Sequence, residues 1–161
     1  MAFSQARAGK RMAPIAIALL LGEACAMAPK VLFSEVRGIV TSGGAPVPGA
    51  VVEREYRWTW NKSTSTDRVT TGADGGFTLP AIAKNSVLGS ILPHEAVIYQ
   101  TIRISFNGKA HDAWYLIKRN YDTNGELSGR PIRLKCDLSA EPHRTDIDAE
   151  GTGFFGFCDL Q

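Results

Sequence analysis

The sequence predicts an all-β fold, a single Greek-key-type β-sandwich of about seven strands preceded by an N-terminal signal segment. Three observations predict it. From Leu32 onward, apolar residues recur at every second position in short runs. Clusters of Gly, Pro, Asn and Asp separate those runs at short intervals. A chain of 161 residues, 44% hydrophobic and 21% charged, has the size and composition of one folded domain. No internal repeat is visible.

The first element reads as a targeting segment. Arg7, Lys10 and Arg11 form a basic start, Ala13 to Leu21 is an uncharged apolar stretch, and Ala24, Cys25 and Ala26 are small. That is the order of a secretory signal, and the apolar run is shorter than the roughly 20 residues that span a bilayer. A short buried helix is the alternative. Cleavage after Ala26 suits the small-residue rule. Cys25 also invites a lipid anchor, although Gly22 and Glu23 depart from the usual lipobox. Residues 1–26 hold three of the 18 basic residues and one of the 16 acidic ones, so 15 of each sign remain in the mature chain. A neutral mature chain has no electrostatic footprint for nucleic acid. Cys136 and Cys158 are then an even pair in an exported protein, which predicts a disulfide, with two buried thiols as the alternative.

The sandwich is expected over 32–138. Phe33 to Thr41 reads as the first strand, and the cluster from Ser42 to Gly49 as a turn. Ala50 to Trp60 alternates cleanly: Val52, Tyr56, Trp58 and Trp60 share a face, with Arg54 as the exception that suggests a wet edge. Asn61 to Asp67 reads as a polar loop and Arg68 to Thr71 as a short strand. Ala73 to Gly76 is a turn before a strand at Phe77 to Leu79, and 81–92 has room for a helical turn or two. Val97 to Phe106 is the strongest strand, interrupted only by Gln100. Asn107-Gly108 is a hairpin signal, and Ala110 to Arg119 returns with His111, Ala113, Tyr115 and Ile117 on one face and Trp114 and Leu116 on the other. Tyr121 to Gly129 is a turn region, and Pro131 to Leu138 is a strand. The tail, 139–161, is expected to be tied back by the disulfide, with a short last strand at Phe154 to Cys158.

Val36-Arg37-Gly38-Ile39-Val40, Gly44 to Val52, and Thr70-Thr71-Gly72-Ala73-Asp74-Gly75-Gly76-Phe77 together resemble the opening of carboxypeptidase-regulatory-like domains, which are transthyretin-like sandwiches. The later part, with Leu92 to Glu95, Ala113-Trp114 and Cys136-Asp137-Leu138, is similar to small bacterial exported proteins of that kind. The resemblance implies a sandwich and an accessory role rather than an activity. Transthyretin-like hydrolases end in a Tyr-Arg-Gly-Ser type tail, whereas this chain ends Cys158-Asp159-Leu160-Gln161.

The chemistry-bearing residues are sparse. His94, His111 and His143 sit in no ligand spacing, so no metal is expected. Asp146 to Gly151 and Asn120 to Gly125 imitate EF-hand openings, but position twelve is Phe157 in one and Pro131 in the other, and both read as Asx turns. No nucleophile elbow, P-loop or dinucleotide fingerprint is present, so neither catalytic residues nor a cofactor is expected. Trp58, Trp60 and Trp114 are the candidate binding residues, as a platform for a sugar or peptide, unless their shared faces make them core. The expected function is a non-enzymatic module of the bacterial periplasm, free or lipid-anchored at Cys25, that binds a protein or a cell-envelope glycan. The alternatives are an immunity protein against a secreted antibacterial toxin and, more remotely, a small hydrolase in which His94 or His111 acts.

Overall fold

The computed structural model describes residues 29–85, 93–149 and 151–161. The expected signal segment, Cys25 and residues 86–92 of the expected helical turn lie outside them. Thirteen strands are described: β1 Lys30–Phe33, β2 Val36–Ser42, β3 Ala45–Pro46, β4 Val51–Trp58, β5 Ser63–Thr70, β6 Gly76–Leu79, β7 Ile82–Lys84, β8 Ile98–Phe106, β9 Lys109–Lys118, β10 Ile132–Asp137, β11 His143–Asp146, β12 Gly153–Gly156 and β13 Cys158–Leu160. A 3-10 turn covers Gly125–Leu127.

The predicted all-β sandwich is what forms. One sheet has six strands in the order β11-β12-β9-β8-β4-β5. The other has β13-β10-β2, with β3 and β6 sharing the far edge of β2. β1 and β7 make a small separate ribbon. The β2–β10 pair is parallel, which needs a long crossover, and the six-stranded sheet supplies it. Val36, Val40, Leu79, Ile132 and Leu134 from one sheet meet Val52, Tyr56, Trp58, Ile98, Ile102, Ile104 and Trp114 from the other in one core. Each is a strand residue on the inward face of its sheet.

Close approach dictates two glycines. A Cβ on Gly38 would sit 2.6 Å from the ring of Phe77, its cross-strand partner, so the ring lies over the glycine and fills the core there. A Cβ on Gly156 would overlap the Ala113 carbonyl. Asn107 and Gly108 both adopt positive φ, 49° and 75°, as a tight hairpin between β8 and β9 requires.

Several expectations are corrected. The first strand breaks into β1 and β2 at Ser34-Glu35, because Ser34 turns its N–H and hydroxyl to Glu126. The expected loop Asn61 to Asp67 is mostly strand: β5 pairs β4 through eight positions from Ser63 to Thr70. Arg54 marks no wet edge. It is fully buried, and its guanidinium donates to both carboxylate oxygens of Asp67 (2.9 and 2.6 Å) beneath the face of Phe33. The face assignment in β9 holds on only one side of a bulge. Ile102 pairs Trp114 while Arg103 pairs Asp112, leaving Ala113 as the extra residue. The bulge puts His111 beside the inward Ile104 and Trp114, Leu116 and Lys118 inward beyond it. The tail supplies β11 and β12 to one sheet and β13 to the other.

Candidate functional site

A groove of about 670 Å³ lies where β9 and β12 part. β9 pairs β8 along its whole length but β12 only at Tyr115↔Phe155. Past that point one wall is Leu116 to Asn120 and the other is the β11–β12 hairpin, with Arg144, Asp148 and Gly151 to Gly153. Tyr115 (43% exposed) and Phe155 (50% exposed) stand side by side on the outer face at its head. Arg144 spans the hairpin, donating to Asp146 Oδ1 (2.8 Å) and to the Gly151 carbonyl (2.6 Å). Asp148 Oδ1 accepts the Thr152 N–H (2.8 Å), an Asx-type turn and not a cation loop.

The floor is a buried ion pair. Lys118 Nζ donates to Glu126 Oε2 (3.0 Å) and to the Asp122 carbonyl (2.7 Å). The Glu126 carboxylate also accepts from the Ser34 N–H (2.9 Å), the Ser34 hydroxyl (2.7 Å) and Gln100 Nε2 (2.8 Å). Four donors thus converge on one carboxylate from β8, β9 and the β1–β2 junction, and they hold the 3-10 turn under the groove. Burial pushes the Glu126 carboxyl up, but Lys118, Gln100 and Ser34 outweigh it and hold it below its ordinary value. Burial pulls Lys118 below its ordinary value, with Glu126 opposing. The two directions favour opposite states of the pair. The geometry supports the charged one, since four donors point at the Glu126 carboxylate and Lys118 Nζ has two acceptors.

The candidate tryptophans separate. Trp58 and Trp114 are each 1% exposed and belong to the core, Trp114 stacked on Phe154. Trp60 is half-buried and stacks on His94, 3.9 Å between centroids. Tyr121 completes that cluster: its hydroxyl accepts from Trp58 Nε1 (3.0 Å) and lies 2.6 Å from His94 Nε2, and Lys30 Nζ sits over its ring. Burial raises the Tyr121 hydroxyl above its ordinary value against the Trp58 hydrogen bond. It therefore stays protonated at neutral pH and acts as a hydrogen-bonding strut rather than a base. His111 packs edge-on to Phe157, and His143 pairs with Asp159 at 3.3 Å. Among the described residues no group of three His, Cys, Asp or Glu side chains is placed to hold a metal.

Cys136 and Cys158 form the predicted disulfide, joining directly paired positions of β10 and β13. Next to it, Asp137 accepts from the N–H groups of Gly43, Gly44 and Ser139 and from the hydroxyls of Thr41 and Ser139. Those bonds, the two from Ser139 foremost, hold its carboxyl far below the usual carboxylate range. Its work is to pin the β2–β3 turn. No sequence signal singled out Tyr115, Phe155, Lys118 or Glu126 as a group, because the bulge at Ala113 and the turn region at Tyr121 to Gly129 decide where they point.

The fold and groove define a small disulfide-bonded β-sandwich with a one-sided open sheet. A family model described as Domain of unknown function (DUF6795) matches residues 36–141, more than half of the chain, and the chain belongs to that family. The match runs from β2 through β10, so the β11–β12 hairpin and Cys158 lie beyond it. No curated protein and no solved structure matches the chain. Among the described residues no helix is long and apolar enough to cross a membrane, and the disulfide is compatible with an exported protein.

Proposed function

We propose that the chain is an exported, non-enzymatic module of the carboxypeptidase-regulatory-like type, held in the periplasm free or through a lipid on Cys25. It binds a protein or a glycan of the cell envelope. One observation carries the reading: two large side chains, Tyr115 and Phe155, stand exposed and adjacent at the head of the groove. Exposed aromatic pairs beside a concavity are the usual anchors of recognition. The floor supports that role, because the bonds of Ser34, Gln100 and Lys118 to the buried Glu126 carboxylate keep the groove in one shape without a ligand.

The test is affinity capture from the protein's own cell envelope, read by mass spectrometry and by sugar analysis. The Tyr115→Ala/Phe155→Ala variant is compared with Trp60→Ala. The expected result is a stoichiometric ligand that the double variant loses and Trp60→Ala keeps. Retention by the double variant and loss with Trp60→Ala would move the site to the Trp60–His94–Tyr121 cluster.

A further inference from the structure

Charge and shape together narrow the class of ligand that the groove fits. Among its lining residues Lys118, Arg119 and Arg144 are cationic, and Glu126 and Asp148 are anionic. Lys118 is answered by Glu126, and Arg144 by Asp146. Arg119 on β9 and Asp148 on the hairpin then stand one against one on the two walls, so the groove carries no net charge. A site without net charge neither steers an ionised ligand nor favours it over a neutral one. Nor does the sheet open a slot for a polypeptide strand. β12 stays against β9, with Phe155 beside Tyr115 and no space for even a Cβ between Gly156 and the Ala113 carbonyl.

Two kinds of surface line the groove. At its head Tyr115 and Phe155 are directly paired, so their side chains stand on one face with Cβ atoms about 5 Å apart. Side by side, the two exposed rings make an apolar platform of the breadth of a sugar ring. Below the platform the lining is polar: Asp148 and the exposed Arg119, Ser128 and Thr152. The hydroxyls there both donate and accept, the guanidinium donates and the carboxylate accepts. A pyranose ring has the two matching surfaces, an apolar C–H face and a rim of hydroxyls that donate and accept. From Tyr115 to Arg119 the wall runs about 14 Å, roughly the length of two or three linked sugar rings. The volume of about 670 Å³ is that of a small-ligand site. We infer that the groove binds a short neutral oligosaccharide of the cell envelope. One ring rests its C–H face on Tyr115 and Phe155, and the hydroxyls of the next reach Arg119, Ser128, Asp148 and Thr152. The inference rests on the reading of the groove as the binding site and names the ligand's chemistry.

The experiment uses the full-length chain, oxidised and isotope-labelled. The probes are the neutral and the anionic fractions of oligosaccharides released from the protein's own cell envelope, and linear peptides selected on the chain from a displayed random library. Amide signals are followed by nuclear magnetic resonance. The neutral fraction is expected to shift the signals of Tyr115, Arg119, Thr152 and Phe155, with an affinity that changes less than about twofold between low and high salt. Tyr115→Ala and Phe155→Ala, both changes of exposed side chains, are each expected to weaken binding about tenfold or more. Ser128→Ala and Thr152→Val are expected to weaken it about fivefold each. Ile39→Ala, an exposed change on the opposite sheet, is expected to leave it unchanged. Tighter binding of the anionic fraction in the groove, falling with salt, overturns the neutral ligand. Peptides that shift the groove signals while neither sugar fraction does so overturn the oligosaccharide but leave the groove as the site. If no probe changes any groove residue, the reading of the groove falls with the inference.

Discussion

Replacing Glu126 by Gln tests the groove floor with almost no change of shape. The amide keeps one carbonyl acceptor and puts an NH2 group among Lys118 Nζ, the Ser34 hydroxyl and Gln100 Nε2, all of which are donors to the carboxylate. Lys118, with a fully buried side chain, keeps only the Asp122 carbonyl. Removing one partner of a buried ion pair costs about 3–5 kcal/mol, a large part of the roughly 5–15 kcal/mol that holds a domain together. With a urea m-value of about 2 kcal/mol/M, the unfolding midpoint should fall by about 2 M. Glu126→Leu combined with Lys118→Met removes both charges but takes partners from the Ser34 N–H, the Ser34 hydroxyl and the Asp122 carbonyl, at about 1–3 kcal/mol for each that stays buried, so it should also destabilise the protein. The assay is equilibrium urea unfolding of the oxidised protein, followed by Trp fluorescence. A Glu126→Gln midpoint within 0.3 M of the parent's (about 0.6 kcal/mol at that m-value), with an unchanged slope, would refute the reasoning.

Three other outcomes are expected. Gly156→Ala should destabilise by about 1–3 kcal/mol in the same assay, because its Cβ meets the Ala113 carbonyl at the bulge. Reduction, or Cys136→Ala with Cys158→Ala, should cost on the order of 3 kcal/mol for a bridge of sequence separation 22. Acid should unfold the protein in a defined window. The carboxyls of Glu126 and Asp137 are held below their ordinary values, so their contribution is complete above about pH 5 and is lost as the pH falls through about 4 toward their folded values. A pH titration of Tm should show that slope, and Asp137→Asn should flatten it and speed amide exchange at Gly43 and Gly44.

What was legible in the sequence was what local pattern determines. β4, β8 and β10 follow period two, Asn107-Gly108 marks its hairpin, and the even cysteine pair forms its bridge. What was not legible depends on partners far along the chain. The bulge at Ala113 is seated against Gly156, and nothing near Ala113 announces it. Arg54 reads as a blemish on an apolar face until Asp67, in a stretch that looks like loop, turns out to be its cross-strand neighbour. Lys118 and Glu126 are eight residues apart across a turn, and no helical or strand period pairs them. The same holds for Tyr115 and Phe155, which become neighbours only because the tail returns as a strand.

The central claim is that the open edge beside Tyr115 and Phe155 is where the protein meets its partner. The most direct measurement is photo-crosslinking in the living cell, with a benzophenone amino acid in place of Phe155 and, as a control on the opposite sheet, in place of Ile39, which is also exposed. The account predicts one discrete adduct from position 155 and none from position 39. Adducts from position 39 alone, or the same adducts from both positions, would contradict it.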